Sequence, residues 1–379
     1  MTTVENLIIG AGPAGLAVAG QLRHRGLSFE MIEQTDKVAW SWHNHYDRLC
    51  LHTVKDLSHL PHLPFPDDYP QYVPRQLFAE YCEQYARHFE IKPHFNQAVN
   101  SVERSGASWI VTTDKGMTFQ ADRVIIATGV NRVPYWPVWP GQDEFGGTIE
   151  HTRVYKNPQP YLDKRVLIIG MGNTGAEVAL DLAEHEVEVY LSVRSPVNIV
   201  PRDINGRPTQ LTAKTLARLP FGLGDWLGTQ IRKLVVGNLS RYGLETATMS
   251  PARQLRETGK TPVIDLGTVA KIKEGAIKII PDIDHFTAEG VACTDGSSYR
   301  VDAVLLATGY RARVEDFLEN TDQLLDKHGV PKSSVGQGLH EGLYFVGFDN
   351  YKLGGILGTI FTDSQTIADH IQQQASVAG

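Results

Sequence analysis

The sequence predicts an α/β chain of two doubly wound, three-layer units, one inserted within the other. Three observations carry that expectation. An unbroken apolar run, Leu7-Ile8-Ile9, leads directly into Gly10, Gly12 and Gly15. The same device returns at Val166 to Ile169, followed by Gly170, Gly172 and Gly175. Two further apolar runs end alike, in Ala127-Thr128-Gly129 and Ala307-Thr308-Gly309. Short unbroken apolar runs suit parallel strands buried on both faces.

The first element is a strand ending at Gly10. Pro13 stands where a first helical residue would, since its fixed φ suits that position. Ala14, Leu16, Ala17 and Leu22 continue with helical spacing. The glycines of G-x-G-x-x-G permit a tight turn, close approach of a pyrophosphate, and tight packing of helix on strand. Free N–H groups and the positive helix end hold the phosphates. A second strand, Phe29 to Ile32, ends at Glu33 and Gln34, and an acid there accepts hydrogen bonds from ribose hydroxyls. A glycine-rich turn with no ligand is the other reading. The order strand, glycines, helix, acid favours a Rossmann-like dinucleotide site.

With 379 residues the chain is long enough for two domains with sizeable cores. A net charge of −7 argues against a nucleic-acid footprint, which is basic. Cys50, Cys82 and Cys293 form no C-x-x-C pair, so neither a zinc ribbon nor a dithiol centre is read. Few cysteines, no secretory leader and no apolar run of membrane-spanning length point to a cytoplasmic protein without a membrane partner.

Next comes a segment rich in aromatics and histidine: Trp40, Trp42, His43, His45, Tyr46, Arg48 and His52. It reads either as rings packed over a core or as a loop around a large flat cofactor. Its histidine spacing matches no zinc pattern, so no metal is expected. Leu60 to Tyr69 is a proline-rich loop, and Pro74 to Phe89 a helix with Leu77, Tyr81, Tyr85 and Phe89 on one face. Val99 to Gly116 alternates as a β-hairpin, and Arg123 to Gly129 is a strand.

After a turn-rich junction at Pro140 to Gly147, the second glycine strand opens a helix from Asn173 or Thr174 to about Ala183. The following strand, Val187 to Val193, ends in Arg194-Ser195 where the first site has an acid. A guanidinium and a hydroxyl suit a 2′-phosphate, which favours NADP; a solvated surface arginine is the alternative. Leu211 to Leu239 reads as an apolar helix, packed as a lid or facing a partner rather than lying on a membrane. Val301 to Tyr310 and Gly342 to Phe348 are strands. A glycine turn at Gly354-Gly355 precedes a final helix from about Thr359, and Gln374 to Gly379 reads as a frayed end.

Three motifs now resemble the flavin-containing monooxygenase family. Phe145 to Tyr155 fits F-x-G-x-x-x-H-x-x-x-Y, with Phe145, Gly147, His151 and Tyr155 in the fixed places. Gly172-Asn173-Thr174-Gly175-Ala176-Glu177 resembles the family's NADPH loop, and Asp302 to Tyr310 its D-x-x-x-x-A-T-G-Y. Tyr46-Asp47-Arg48-Leu49, Leu51-His52, Val193-Arg194-Ser195, Pro201-Arg202 and Gly259 to Val263 are similar to the YUCCA-type, auxin-synthesising branch. The chain departs from that branch near Asp349 to Asp363, which is longer by a few residues.

The resemblance implies an FAD domain at residues 1–155 and 302–379, with an NADPH domain inserted at residues 156–301. It implies an enzyme in which NADPH reduces FAD, a flavin C4a-(hydro)peroxide forms with O2, and one oxygen atom passes to a small organic substrate. The outcome is N- or S-oxygenation, or Baeyer–Villiger or decarboxylating attack on a keto compound such as an indolic keto acid. Gly10, Gly12, Pro13, Ala14, Gly15, Glu33 and Gln34 are expected on FAD, with Trp42, Arg48, His52, Thr128 and Gly129 beside a cofactor. Gly170, Gly172, Asn173, Thr174, Gly175, Arg194 and Ser195 are expected on NADPH, with Thr308, Gly309 and Tyr310 as a further cofactor-binding strand end. His52 is the candidate catalytic group. Phe145, Gly147, His151 and Tyr155 read as a structural linker. A homodimer is compatible with the sequence. Two rivals stand beside this reading: an NAD(P)H-dependent flavin reductase or oxidase without oxygenation, and a non-catalytic nucleotide sensor.

Overall fold

The computed structural model describes residues 1–220, 222–349, 351–352 and 354–378. Along the chain run β1 (Thr2–Ile9), α1 (Pro13–His24), β2 (Glu30–Ile32), α2 (Trp40–His43), α3 (Arg75–His88), β3 (Val99–Ser105), β4 (Ser108–Thr113) and β5 (Thr118–Ile126). Then come β6 (Thr148–His151), β7 (Arg165–Ile169), α4 (Asn173–Glu184), β8 (Glu188–Ser192), β9 (Ile199–Pro201), α5 (Thr209–Leu216), α6 (Leu223–Val236), α7 (Pro251–Thr258), β10 (Val263–Asp265) and α8 (Thr268–Glu274). The chain closes with β11 (Ile277–Ile280), β12 (Ile283–Thr287), β13 (Gly290–Cys293), β14 (Ser298–Arg300), β15 (Ala303–Leu306), β16 (Leu343–Phe345) and α9 (Ile356–Ala378).

These elements form two compact units. One comprises residues 1–44, 53–133 and 310–379; the other comprises 45–52 and 134–309. In the first, β2, β1 and β5 pair in parallel, with Ile8 opposite Ile125 and Ile9 opposite Ile126. The second half of β5 pairs in parallel with β16, and its first half pairs antiparallel with β4. Side chains alternate across a strand. Ile8 therefore faces α1, while Leu7 and Ile9 pack with Val102, Trp109 and Phe119 on the opposite face. β3 and β4 continue the same six-stranded sheet, and Val314, Phe317 and Leu318 also pack on that face.

The second unit holds an all-parallel sheet in the order β11-β8-β7-β15-β6. Val166, Ile168, Val189 and Leu305 meet the apolar side of α4 at Val178, Ala179 and Leu182. Leu167, Ile169, Val304 and Leu306 face the other way, onto Phe286 and Val291 of the antiparallel sheet β12-β13-β14. Strands buried on both faces need side chains that are apolar throughout, which is why β7 and β15 read as continuous runs.

Four expectations change in the structure. The single helix over 211–239 is two helices, because Pro220 cannot continue the first and Gly222 sits at φ +71 before the second. Phe221, inside that stretch, lies outside the described residues, as do Asn350 and Leu353 of the Asp349–Asp363 segment. The strand expected at Arg123 starts at Thr118, and the end expected to fray stays helical to Ala378; Gly379 lies outside the described residues. Residues 40–43, expected as loop, form the short helix α2.

Candidate functional site

In the first unit the glycine loop is built by sterics. Gly10 has φ +107, and a Cβ there would stand 2.8 Å from the Ala127 carbonyl oxygen. A Cβ on Gly15 would meet the Gly10 oxygen at 1.9 Å. The fold itself requires glycine at both positions. Gly12 is different: its φ of −75 suits any residue, and a Cβ there meets nothing within 4 Å. What Gly12 keeps open is space in front of the α1 amino end. That end has no side-chain cap and no acid in its first turn. Glu33 is fixed beside it, with Oε2 accepting from Ala11 N–H at 2.7 Å and Oε1 from Thr35 N–H at 2.9 Å. The Thr128 hydroxyl, two residues beyond β5, is buried with no partner among the described residues.

Gly347 belongs to the same place and was not singled out from sequence. At φ +81 it follows β16, and a Cβ on it would stand 2.8 Å from Ala14 Cβ. Its signal is a glycine directly after a buried apolar run, Val346-Gly347. Gln34 is exposed at the end of β2. Trp42 is half-buried, its ring edge-on to Phe78 at 4.4 Å.

The second unit repeats the construction. Gly170 has φ +102 with the Ala307 oxygen 2.7 Å from a built Cβ, and Gly175 would meet the Gly170 oxygen at 2.1 Å. Gly172, at φ −92, again faces open space. The repeated Ala-Thr-Gly ends thus have one physical role each: their alanine carbonyls press on the first glycine of a loop. Asn173 Oδ1 accepts from Ile264 N–H at 2.7 Å, tying β10 to the loop, and Thr174 is half-buried beside it. Arg194 and Ser195 are exposed beyond β8, and Arg194 makes no hydrogen bond or ion pair among the described residues. Thr308 Oγ1 donates to the Tyr135 carbonyl at 2.5 Å, and Tyr135 N–H donates to Gly309 O at 2.9 Å. Tyr310 begins the return to the first unit.

Both cradles fit a pyrophosphate-bearing nucleotide: an uncapped helix end, no competing acid, and a glycine whose missing side chain leaves room.

On α4, Glu177, Asp181 and Glu184 recur at helical spacing, so one face carries three carboxylates. Residues 45–52 pack against that face. Arg48 Nη1 donates to Glu184 at 2.7 Å and to Asp181 at 3.2 Å. His52 Nε2 bonds Glu177 Oε1; Glu177 is 1% exposed and also meets the Tyr46 hydroxyl. Tyr155 donates to Asp181 at 2.7 Å. Burial first, then that carboxylate, raise the Tyr155 phenol far above its ordinary value; burial and Glu177 do the same to Tyr46. So Trp42 lies in one unit while Arg48 and His52 lie in the other.

Phe145 packs edge-on to Phe286 at 5.6 Å, and a Cβ on Gly147 would meet the Asp302 oxygen at 2.4 Å. His151 is 2% exposed; Nε2–H donates to Gly309 O at 3.1 Å, and Nδ1 accepts from Arg153 N–H at 3.1 Å. Among the described residues no group of three His, Cys, Asp or Glu could hold a metal, and no helix is long and apolar enough to cross a membrane.

The family described as flavin-binding monooxygenase-like matches residues 5–330. A probable indole-3-pyruvate monooxygenase of Arabidopsis thaliana, YUCCA9, is 40% identical over 359 residues, covering 92% of this chain and 85% of its own length. The indole-3-pyruvate monooxygenase YUCCA4 of Oryza sativa subsp. japonica is 38% identical over 368 residues, 92% of this chain and 84% of its own. A solved flavin-containing monooxygenase from Stenotrophomonas maltophilia superposes with a TM-score of 0.76 at 20% identity, covering 99% of this chain and all of that one. Cyclohexanone monooxygenase from Rhodococcus sp. Phi1 bound to NADP+ gives 0.69 at 20% identity, over 99% and 85%. At that identity the solved structures speak for the fold. The sequence matches speak for kinship: the chain belongs to the flavin-binding monooxygenase-like family, in its YUCCA branch, as an NADPH-dependent flavoprotein monooxygenase with FAD and NADPH as its cofactors.

Proposed function

We propose that the chain uses NADPH and O2 to transfer one oxygen atom to a small organic keto acid, of which an indolic 2-keto acid is the first candidate. The observation that carries this is the 40% identity to a protein named a probable indole-3-pyruvate monooxygenase, spread over 92% of the chain. Bound FAD supplies the redox and oxygen-activating chemistry. The residues hold and orient. Gly10, Gly12 and Gly15 leave the FAD pyrophosphate facing the α1 amino end, with Glu33 on the ribose. Gly170, Gly172 and Gly175 do the same for NADPH, whose 2′-phosphate takes the unpaired Arg194 guanidinium and the Ser195 hydroxyl.

His52, Arg48 and Tyr155 act through α4 by clasping its acidic face, and the fingerprint from Phe145 to Tyr155 is a structural linker. A Tyr155 phenol held this strongly neutral is a fixed donor rather than a proton-transfer group. We assign the FAD domain to residues 1–155 and 302–379 and the NADPH domain to 156–301; the compact units differ from this, with 45–52, 134–155 and 302–309 in the second.

The test is a substrate panel of indole, indole-3-pyruvate, trimethylamine and a methyl sulfide, with NADPH and product measured together. Decarboxylated product from the keto acid supports the reading. NADPH oxidation with peroxide release and no product from any compound supports the flavin reductase or oxidase instead.

A further inference from the structure

Arg232, on α6, is 5% exposed, yet no carboxylate pairs with it among the described residues. Its Nη1 is committed to two neutral acceptors, Asn198 Oδ1 and the Ala247 carbonyl at 3.1 Å. Its Nε is buried without a partner. Asn198 is itself buried and locked: its amide donates to Gln254 Oε1 at 2.8 Å and to Met249 O at 3.0 Å, and Gln254 donates to Lys260 O at 3.1 Å. The guanidinium is therefore held in place by a chain of neutral hydrogen bonds, with its positive charge unmatched among the described residues. Burying a cation without a counter-charge is costly, and burial alone pulls this guanidinium below its ordinary pKa.

Arg232 lines a cavity of about 600 Å³ that lies wholly within the second unit. That size holds a small organic ligand. Its walls include Val197, Ile199, Val236, Leu239 and Leu244. Lys233 and Glu245 also line it, so with Arg232 two cations and one carboxylate leave one net positive charge. The cavity shares no residue with the glycine loop from Gly170 to Gly175, nor with Arg194 or Ser195.

We propose that this cavity is a binding site for a small monocarboxylate with an apolar, ring-sized body, anchored by Arg232. A guanidinium that lines the cavity and meets only neutral acceptors among the described residues matches a carboxylate, the anion arginine pairs with best. A monoanion matches the net charge of the lining. The apolar walls and the Glu245 carboxylate oppose a small, heavily hydrated dianion such as phosphate. The assignment does not depend on which substrate the enzyme oxygenates.

The full-length holoenzyme is titrated calorimetrically with phenylacetate, with its neutral counterpart phenylacetamide, and with inorganic phosphate. Phenylacetate is expected to bind, and both of the others to bind more weakly by roughly tenfold or more. Arg232→Gln is expected to weaken phenylacetate by roughly the same factor while NADP+ binding is retained. Equal binding of acid and amide, phosphate binding as tight as phenylacetate, or undiminished phenylacetate binding to a folded Arg232→Gln protein overturns the proposal. A crystal of the unaltered holoenzyme soaked with 4-bromophenylacetate decides independently if the variant does not fold. Anomalous bromine signal in the cavity with the carboxylate on Arg232 supports the site; no signal there overturns it.

Discussion

His52 Nε2 is hydrogen-bonded to Glu177 Oε1 across 125 residues of sequence, and the carboxylate it meets is almost completely buried. Glu177 lies one turn into the helix whose amino end forms the second glycine loop. The bond joins residues 45–52 to the helix that would carry the NADPH phosphates.

His52→Ala removes the histidine partner of that buried carboxylate and leaves it only the Tyr46 hydroxyl. A cost of about 2 kcal/mol is expected, seen as a melting temperature lowered by several degrees. Looser seating of α4 should also raise peroxide release per NADPH consumed. Differential scanning fluorimetry and a peroxide assay check both. Unchanged values in both assays would remove His52 from this role.

His151 sets a pH dependence. Its two ring nitrogens are both used, one donating to Gly309 O and one accepting from Arg153 N–H, which requires the neutral ring. Burial holds its folded pKa below the ordinary 6.5. Below pH 6.5 the unfolded chain takes up a proton that the folded site refuses, so this contribution to stability is full above 6.5 and is lost as the pH falls toward the folded value. Urea midpoints across that window should fall with pH in the native protein. They should fall less steeply in His151→Gln.

The glycines separate fold from ligand. Gly15→Ala places a Cβ 1.9 Å from a backbone oxygen and should destabilise the protein by roughly 2–4 kcal/mol. Gly12→Ala meets open space and should leave apoprotein stability within about 1 kcal/mol of native. It should nonetheless lose most FAD binding, read by flavin absorbance after gel filtration. Full flavin occupancy in Gly12→Ala would contradict the cradle.

Arg194→Ala removes an exposed, unpaired cation beyond β8, so stability should not change. The apparent KM for NADPH should rise by roughly tenfold or more, with that for NADH little altered. Equal losses for both nucleotides would show that Arg194 does not read the 2′-phosphate.

The glycine loops, their strands and Glu33 were legible in the sequence because they are local: a few consecutive residues determine turn, helix start and strand end. The segment from Trp40 to His52 was not. Its composition left open rings packed over a core or a loop around a flat cofactor; Trp42 packs on Phe78, while Arg48 and His52 bond carboxylates on α4. Nothing local marks partners more than a hundred residues away. The role of the Ala-Thr-Gly ends was hidden for the same reason, since Ala127 and Ala307 act through carbonyls pressed on Gly10 and Gly170. Arg232 gave no signal at all: beside Lys233 on the same helix it looks solvated until its burial is known.

The central claim is that FAD reduced by NADPH delivers oxygen to a substrate rather than wasting it. The direct measurement is the ratio of decarboxylated product to NADPH oxidised, with indole-3-pyruvate and the purified, flavin-loaded protein. The account predicts a ratio near one and little free peroxide. NADPH consumption matched by peroxide, with no product, would contradict it.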